Sequence, residues 1–550
     1  MRMSTIALDR PALNASRTGG MTGEERLVVF ASSLGTVFEW YDFYIYGTLG
    51  VFLAKYFFSN VPQAVGFIFA LLAFAAGFAV RPFGALIFGR LGDLIGRKYT
   101  FLITMTLMGF GTFFNGVLPG YARWGIVAPI VLIALRLVQG LALGGEYGGA
   151  AIYVAEHAPA NRRGYYTSWI QTTATLGLFM ALLIVLGIRS YMGEGPFGDW
   201  GWRIPFLLSA ILLAVSLWIR LKLNESPLFR RMVEEGKQSR RPLAEAFGEW
   251  RNCKVAIAAL LGATAGEAVI WYGGQFYALF FLTQTLKVPG VTAQIMVAVA
   301  LAIDTPCFIL FGALSNRIGC KPIMLAGFAL GAVTYFAIFQ GITHFANPKL
   351  ERALAAAPVT VTADPKECSF QFKATGTERY TSGCDNIKAA LVNLSVNYAN
   401  VAAPPGSKAS VQIGGETIEA DTPNLAGVIA AGVKEHGYPA SADPDDINYP
   451  MTVLLLTILV VYVTMVYGPI AAWLVELFPT RIRYSGVSLP YHIGNGWFGG
   501  FLPATAFAIV AATGQIYSGL WYPVAIAAMS FFVALIFLPE TKDRDITQID

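Results

Sequence analysis

The segment GRLGDLIGRK (Gly89–Lys98) lies between two long apolar runs in the first half of the chain. A related segment, GALSNRIGCK (Gly312–Lys321), lies between two apolar runs in the second half. Both segments follow the second apolar run of their half, and this equivalence predicts an internal duplication with two parallel halves. A polar, basic stretch at 223–254 interrupts the apolar runs between the two copies, and we expect it to link the halves.

The composition around these segments excludes a soluble protein. The chain has 550 residues, of which 55% are hydrophobic and only 13% are charged, and its mean hydropathy is +0.56. So few charges cannot coat the surface of a soluble multidomain enzyme. The apolar residues instead come in runs of about twenty, the length that crosses a bilayer as a helix. Twelve spans are predicted, at 27–52, 64–89, 99–119, 126–148, 166–188, 203–222, 255–283, 292–314, 321–344, 451–476, 485–510 and 515–538.

Lysine and arginine residues predict the orientation of these spans, because short loops rich in them stay on the cytoplasmic side. One set of alternate loops, together with 223–254, holds most of them, whereas the opposite loops hold mainly Lys55, Arg123, Arg189 and Lys287. Both termini are therefore expected in the cytoplasm, and the polar amino-terminal residues lack the apolar stretch of a cleavable signal. This topology explains the net charge of +5, so no nucleic-acid partner is predicted.

The stretch at 345–450 is too long for an ordinary loop and is predicted to be a small extracytoplasmic α+β insertion. Its segments 368–384 and 409–420 alternate like hairpins, whereas 386–399 and 424–437 are helix-like. Outside the cytoplasm Cys368 and Cys384 can form a disulfide, the alternative being two reduced thiols.

The repeated segment and the twelve spans resemble the major facilitator superfamily of secondary transporters. The motif G-x-L-x-D-x-x-G-R-K is matched by Gly89, Leu91, Asp93, Gly96, Arg97 and Lys98. The resemblance implies a cytoplasmic latch in which Asp93 and the basic residues pair across the interface between the halves in the outward-facing state. The second copy has Asn316 and Cys320 at the corresponding acidic and basic positions, so we expect the latch to be one-sided.

Further strings resemble the metabolite:proton symporter family, whose members carry 2-oxoglutarate, citrate, shikimate and related carboxylates, or proline and betaines. These strings are FEWYDFYIYG (Phe38–Gly47), RPFGALIFGRLGD (Arg81–Asp93), RLVQGLALGGEYGGA (Arg136–Ala150), WGWRIPF (Trp200–Phe206), ESPLF (Glu225–Phe229) and ELFPTRIRYSG (Glu476–Gly486). The insertion has no counterpart in the general pattern of the family.

Residues and resemblance together predict an all-α membrane protein with the major facilitator fold, twelve transmembrane helices in two six-helix halves. We expect a functional monomer that crosses a bacterial-type cytoplasmic (inner) membrane many times. The predicted units are a cytoplasmic tail at 1–26, one half at 27–222, the linker at 223–254, the other half at 255–344 and 451–538, the insertion at 345–450 and a cytoplasmic tail at 539–550.

The resemblance implies a secondary active transporter that takes up a small organic acid together with protons by alternating access. One alternative is a proline or betaine osmoprotectant symporter; osmosensing members of that kind tend to have a long heptad-rich tail, whereas this chain ends about ten residues after LPETK. The other alternative is a membrane receptor that binds ligand through the insertion. The sequence has no convincing catalytic group, zinc motif or ATP-binding loop, so we predict no enzyme activity, no metal and no cofactor, with the proton gradient as the energy source.

Charged residues inside the predicted spans are the candidate transport residues, because a charge in the bilayer is costly without a partner. Glu39 and Asp42 lie about one helical turn apart, so one of them is expected to hold a proton unless both serve helix packing. Arg136, in the fourth span, can pair with these acids or with a substrate carboxylate, and Gln139 lies one turn away.

The second half offers independent candidates for the proton site, Glu267, Asp304 and His492. The alternative for His492 is a hydrogen-bonded packing role, which is the commoner role of a lone histidine in a helical bundle. Tyr272 and Asn495 are candidate substrate ligands, although most aromatic residues of the spans are expected to face lipid or the bilayer interfaces.

Two further charges lie near the predicted cytoplasmic ends of their spans. Arg81 is either a gate residue or an interfacial arginine whose side chain reaches the membrane surface. Glu146 is expected to be a structural partner for Arg97 in the latch, and not a substrate ligand.

Overall fold

The computed structural model describes residues 23–59, 63–221, 225–369, 381–394 and 396–546. Most of these residues are helical, as the apolar runs predict. The turn and flanking residues of the first hairpin expected in the insertion, 370–380, lie outside the described residues.

The helices of the first half end at Leu221, next to the predicted linker. They are α1 (Gly23–Thr48), α2 (Gly50–Phe57), α3 (Gln63–Leu94), α4 (Arg97–Val117), α5 (Tyr121–Trp124), α6 (Val127–His157), α7 (Arg163–Met192), α8 (Glu194–Asp199) and α9 (Ile204–Leu221). The first predicted span is thus divided between α1 and α2, at Leu49.

The remaining helices belong to the linker, the second half and the insertion. They are α10 (Pro227–Glu234), α11 (Trp250–Ala259), α12 (Ala265–Tyr272), α13 (Ala278–Phe280), α14 (Gly290–Ile318), α15 (Cys320–Ala346), α16 (Pro348–Ala356), α17 (Gly383–Asn393), α18 (Leu425–Glu435), α19 (Tyr449–Tyr467), α20 (Ile470–Leu477), α21 (Arg483–Ile493), α22 (Leu502–Thr513) and α23 (Trp521–Phe537). Short 3₁₀ helices occupy Ala160–Arg162, Gly201–Arg203, Pro365–Glu367, Pro444–Asp446, Thr480–Ile482 and Ser518–Leu520.

Ten helical segments of the described chain are long and apolar enough to cross a membrane. They are Arg97–Val117, Val127–His157, Arg163–Met192, Gly201–Leu221, Trp250–Thr285, Gly290–Ile318, Cys320–Ala346, Tyr449–Leu477, Thr480–Val510 and Ser518–Phe537. Each overlaps one of the predicted spans. The two remaining predicted spans correspond to α1 with α2, and to α3, which are helical over 26, 8 and 32 residues.

Two membrane segments of the second half contain π-helical turns, which widen a helix locally and are frequent at functional sites. Trp250–Thr285 contains three of them, and Thr480–Val510 contains one. Their bounds are Leu260–Thr264, Gly273–Tyr277, Phe281–Thr285 and Gly494–Gly499, and a further π turn lies in the linker at Ala244–Gly248. Those at Gly273–Tyr277 and Gly494–Gly499 adjoin or include residues of the central cavity described below.

Glycines let α3 and α6 approach closely in the first half. A Cβ on Gly140 would lie 2.3 Å from the carbonyl oxygen of Gly77, and a Cβ on Gly144 would lie 2.2 Å from that of Arg81. Neither position therefore tolerates a side chain unless the two backbones separate. This close packing places Arg81 between the helices that surround the central cavity.

The insertion contains a four-stranded sheet in the order β2-β1-β3-β4. The strands are β1 (Val359–Ala363), β2 (Tyr398–Ala402), β3 (Ser410–Ile413) and β4 (Glu416–Glu419). β1 pairs in parallel with β2 and antiparallel with β3, which forms a tight hairpin with β4. Alternate strand residues are buried together with residues of α17 and α18, so the sheet has a small apolar core of its own.

The backbone of the insertion is hydrogen-bonded to residues at or near the ends of second-half helices. The N–H of Tyr398 donates to the carbonyl of Gly514 at 2.9 Å, and the N–H of Ala442 donates to the carbonyl of Lys287 at 3.0 Å. Close to the point where the chain re-enters the bundle, the N–H of Asn448 donates to the carbonyl of Phe345 at 2.8 Å. The insertion is therefore attached to that half at three separate places.

Candidate functional site

The two copies of the repeated segment form equivalent turns. Gly96 and Gly319 have φ values of 111° and 100°, which side-chain-bearing residues rarely adopt. A carboxylate from the end of the same half covers each turn: Glu225 accepts from the N–H of Lys98 at 3.1 Å, and Glu540 accepts from the N–H of Lys321 at 2.9 Å. The sequence repeat therefore corresponds to a repeated three-dimensional unit, which includes a glutamate that follows each half.

Asp93 connects the two halves at this end of the bundle. Its carboxylate accepts hydrogen bonds from the N–H groups of Tyr484 at 3.1 Å and Ser485 at 2.9 Å. Arg97 donates to the same carboxylate at 3.2 Å and to the carbonyl of Thr480 at 2.7 Å. Asp93 and Arg97 are both fully buried, and their bonds to Thr480, Tyr484 and Ser485 form only while the halves stay together.

The predicted partner of Arg97 is Glu146, and this prediction is wrong: the structure pairs Arg97 with Glu156. Arg97 lies 3.7 Å from Glu156, which also accepts a 2.7 Å hydrogen bond from Arg483 of the opposite half. Glu146 instead lies two to three turns deeper in α6, facing the central cavity. The apolar pattern predicts that the fourth span ends near 148, which would place Glu146 beside the latch, whereas α6 extends to His157.

The second copy of the motif also joins the halves, although it lacks the carboxylate. The side-chain oxygen of Asn316 accepts from the N–H of Gly164 at 2.9 Å. Nearby, Arg163 of the first half forms a buried ion pair with Glu476 of the second. The expected one-sided latch is therefore wrong in its contacts: a neutral amide replaces the acid, and a separate ion pair supplies the charge.

A central cavity lies between the halves, at the middle of the bundle. Its volume is about 30 Å³, which leaves room for water but not for a metabolite. The lining residues are Thr36, Glu39, Trp40, Arg81, Leu143, Glu146, Tyr147, Trp271, Tyr272, Tyr467, Tyr491, His492 and Asn495. The predicted candidates Glu39, Arg81, Tyr272, His492 and Asn495 are thus brought together from four helices and both halves.

One wall of the cavity carries two acidic residues and a buried cation. Glu39 and Glu146 line the cavity, and Arg220 places its Nη2 atom 3.6 Å from the carboxylate of Glu39. Arg220 also packs on the ring of Phe101 and donates to the carbonyl of Ser32 at 3.2 Å. Sequence reasoning missed Arg220 because it comes at the end of a predicted span, where a basic residue is ordinarily interfacial.

Arg81 is buried rather than interfacial. Its guanidinium lies 5.0 Å from the ring centre of Phe43 and 4.5 Å from that of Phe78, and it lines the same cavity as the acidic residues. The alternative of a side chain reaching the membrane surface is therefore excluded. Aromatic rings on two sides hold the guanidinium in place.

Arg136, Gln139 and Asp42 lie behind this cavity. Arg136 donates to the amide oxygen of Gln139 at 3.2 Å, and Gln139 donates to the hydroxyl of Thr112 at 2.7 Å. All three predicted residues are buried, but none of them lines the cavity in this conformation.

The second half contributes a hydrogen-bonded acid. Asn495 donates to the carboxylate of Glu267 at 2.9 Å, and both side chains are buried. His492 lies one turn from Asn495 and lines the cavity. Asp304 is buried on α14, which packs against α7 and α19, and it does not line the cavity.

Aromatic side chains form much of the remaining cavity surface. The rings of Tyr147 and Tyr491 stack 3.6 Å apart across the two halves, and the hydroxyls of Tyr467 and Tyr491 are hydrogen-bonded at 3.0 Å. Trp40 lies 6.1 Å from Trp271, again across the halves. The expectation that most of the span aromatics face lipid is wrong for these residues, since side-chain periodicity does not distinguish a bundle interior from lipid when both are apolar.

Cys368 and Cys384 form a disulfide between the start of α17 and the segment that follows β1, with their Cα atoms 5.3 Å apart. Cys253, Cys307 and Cys320 are free. Among the described residues, no group of three or more His, Cys, Asp or Glu side chains could hold a metal ion.

Comparison with known proteins agrees with this architecture. Residues 27–258 and 425–550 match the model of the family described as "Sugar (and other) transporter". The chain is 34% identical over 351 residues to the alpha-ketoglutarate permease of Escherichia coli K12, covering 63% of this chain and 78% of that protein. It is also 34% identical over 329 residues to the proline/betaine transporter of the same strain, covering 58% of this chain and 64% of that protein, less than two thirds of its length.

Among solved structures, the proton:xylose symporter XylE, of the major facilitator superfamily, superposes with a TM-score of 0.60 at 14% identity. The match covers 96% of this chain and 98% of XylE, so the two share a fold. The residues that match the family model include the first half, the linker and the last three predicted spans. The chain therefore belongs to the sugar (and other) transporter family.

Proposed function

We propose that this protein is a proton-coupled symporter that takes up a small organic acid by alternating access. The observation that carries the proposal is the central cavity between the halves, which is lined by Arg81 together with the acidic residues Glu39 and Glu146. A buried arginine can bind a substrate carboxylate through two parallel hydrogen bonds, and a buried acid next to it can carry the coupled proton. The alpha-ketoglutarate permease that this chain resembles supports the choice of a carboxylate.

The conformation supports alternating access. Asp93, Glu156 and the Arg163–Glu476 pair hold the halves together at one end, and the central cavity is too small for a substrate. We infer an occluded state with its cytoplasmic end closed, in which substrate binding requires the halves to separate on the outer side.

We further propose that α1 with α2 and α3 supply the two spans that complete a set of twelve. With basic residues retained in the cytoplasm, both termini and the linker lie there, and the insertion lies outside. The disulfide between Cys368 and Cys384 supports this placement, because disulfides persist in oxidising compartments. We place the protein in a bacterial-type cytoplasmic membrane as a functional monomer.

The proton-carrying group is assigned to the Glu39, Glu146 and Arg220 wall. Two carboxyl groups beside one buried cation are close to neutral when one carboxyl is protonated, so the wall can exchange a single proton at little electrostatic cost. Glu267 is the alternative carrier, because its hydrogen bond from Asn495 connects it to the opposite wall of the same cavity.

A second substrate class is favoured by one observation, the six aromatic side chains that line the cavity. Tryptophan and tyrosine faces attract quaternary ammonium groups, and Glu39 or Glu146 could balance such a charge while Arg81 binds the carboxylate of a betaine. The proline/betaine transporter relatives are consistent with this candidate.

The test is uptake by proteoliposomes of labelled 2-oxoglutarate, citrate, shikimate, proline and glycine betaine, with an imposed pH gradient present or absent. Gradient-driven accumulation of a carboxylate supports the main proposal, and accumulation of betaine alone supports the second. The variant Arg81→Gln should abolish carboxylate accumulation, whereas Arg123→Gln, on the exposed helix α5, serves as the matched control. No gradient-dependent accumulation of any of these compounds by correctly folded protein would refute both candidates.

A further inference from the structure

A second, larger cavity lies at the latch end of the bundle, away from the path of the substrate. It has a volume of about 620 Å³ and opens where the start of α11, the segment after α20 and the end of α23 meet. It shares no lining residue with the central cavity. It lies at the same end as the latch, because Thr480, the neighbour of its lining residue Arg481, accepts a hydrogen bond from Arg97.

The deep wall of this cavity is apolar and faces outward from the bundle. It is formed by Ile257, Leu261 and Val533, with Ile536 and Phe537 at the end of α23. Ile536 and Phe537 are 68% and 67% exposed within a segment that is apolar enough to span a membrane. In a bilayer, side chains so exposed contact acyl chains.

The rim of the cavity is basic. Arg251, Lys254, Arg481 and Arg544 line it, against the single acid Glu249. Arg481 forms an ion pair with Glu245 of the linker, and Arg544 donates to the carbonyl of Glu476 at 3.3 Å.

Two of the basic side chains remain available to a ligand. Arg251 and Lys254 are exposed, and neither forms an ion pair with any of the described residues. They lie three residues apart on α11, so their side chains project from the same face of that helix.

We propose that this cavity binds an anionic glycerophospholipid from the leaflet at the latch end. Its phosphate and headgroup lie between Arg251, Lys254 and Arg544, and its acyl chains follow the apolar wall between α11 and α23. A basic pocket between membrane helices at the bilayer surface is the arrangement that recognises anionic headgroups. A free phosphate ion would use the rim alone and leave the apolar wall in contact with water, which is why the lipid is the better occupant.

Trp250 provides a direct probe, because it lines the cavity and is 71% exposed. The full-length protein is placed in phosphatidylcholine nanodiscs that contain increasing fractions of phosphatidylglycerol brominated on its acyl chains. Bromine quenches nearby tryptophan, and the difference between the wild type and Trp250→Phe isolates the signal of this residue. We expect brominated phosphatidylglycerol to quench Trp250 at a much lower fraction than brominated phosphatidylcholine does.

The double variant Arg251→Gln/Lys254→Gln should lower that preference about tenfold, since each basic residue near a bilayer surface contributes to attraction of anionic lipid. The matched control is Arg230→Gln/Arg240→Gln, which removes two exposed charges from the same linker outside the cavity. Equal quenching by the two lipids, an equal loss in the control variant, or displacement of the lipid by added inorganic phosphate would each overturn the proposal. The experiment measures quenching and not transport. A negative result would therefore overturn the lipid site without bearing on the proposed transport function.

Discussion

The carboxylate of Asp93 accepts a 2.9 Å hydrogen bond from the backbone N–H of Ser485, which lies 392 residues further along the chain. Because the donor is a main-chain group at the start of α21, no side-chain substitution at position 485 except proline removes it. The side chain that the contact needs is therefore Asp93 alone, and the contact connects the turn of one repeat to the opposite half.

Replacing Asp93 should loosen the closed end of the bundle. The variant Asp93→Asn keeps the shape of the side chain but removes its charge, and each hydrogen bond to a charged group contributes about 2 kcal/mol. Spin labels are attached at Tyr99→Cys and Ile318→Cys, two exposed positions in opposite halves, in a background without the free cysteines Cys253, Cys307 and Cys320. We expect the distance between the two labels to become longer in Asp93→Asn. Glu234→Gln, an exposed acid on α10, is the control, and an unchanged distance distribution in Asp93→Asn would contradict the latch.

Glu225 should make the stability of the protein depend slightly on pH. Burial raises its pKa above the ordinary value of 4.5, although the N–H groups of Ser226 and Lys98 partly oppose this by favouring the charged form. The folded protein therefore binds the proton more tightly than the unfolded chain, so this residue's contribution to stability is greatest below pH 4.5 and is lost as pH rises through the folded pKa.

The measurement is thermal unfolding of the wild type and of Glu225→Gln between about pH 4 and pH 7, the range over which a carboxyl group with a raised pKa titrates. The glutamine of the variant cannot titrate. As the pH rises over this range, the melting temperature of the variant should therefore fall less than that of the wild type. Parallel pH profiles for the two proteins would show that Glu225 has the same proton affinity in both states.

Glu146 should be needed for coupling but not for substrate movement. The variant Glu146→Gln keeps the hydrogen-bonding capacity of the side chain but cannot release a proton. We expect exchange of labelled for unlabelled substrate across proteoliposomes to continue, while accumulation driven by a pH gradient falls at least about tenfold, as for loss of an essential proton carrier. If Glu146→Gln retains accumulation and Glu267→Gln loses it, the proton carrier is in the second half.

Gly35 makes room for the buried arginine of the acidic wall. A Cβ at this position would lie 2.1 Å from Nη2 of Arg220, so Gly35→Ala must displace the guanidinium from Glu39. We expect this variant to lose pH-driven accumulation and to unfold at a lower temperature, by the equivalent of about 1–3 kcal/mol for overpacking.

Gly187→Ala is the matched control for this change. It introduces the same methyl group into a helix of the same half, where nothing lies within 4 Å of the added Cβ, and alanine favours helix. Equal pH-driven accumulation by Gly35→Ala and Gly187→Ala would show that transport does not depend on the position of Arg220.

The insertion should move with the second half. Its hydrogen bonds at Lys287, Phe345 and Gly514 attach it to that half at three places, which leaves little freedom for rotation. We expect the distance between labels at Lys434 and Val291 to stay constant when substrate is added, while the distance between labels at Lys434 and Ile126 changes. All three positions are exposed. A change in the first distance would instead indicate an insertion that moves independently of the bundle.

Several features were accessible from the sequence because they depend on local composition. Apolar runs of span length predict helices that bury their own backbone groups, and the repeat at Gly89–Lys98 predicts the duplication. Charged residues such as Glu39 and Arg81 are easily identified in these runs, since a charge inside a membrane is costly unless it has a partner. The hairpin formed by β3 and β4 follows from alternation around the Gly414 and Gly415 turn.

Other features could be decided only by the packing of the helices. Glu146 and Glu156 lie on one helix ten residues apart, yet one faces the central cavity and the other binds Arg97 and Arg483. A helical pattern indicates which residues share a face, but in an apolar bundle it cannot tell which faces meet lipid and which meet another helix, since both surroundings are apolar. The sequence by itself thus determined the spans, their order and the charges that require an explanation. The pairing of Glu39 with Arg220, the aromatic walls contributed by both halves and the contact of Asp93 with Ser485 were decided only when distant segments packed together.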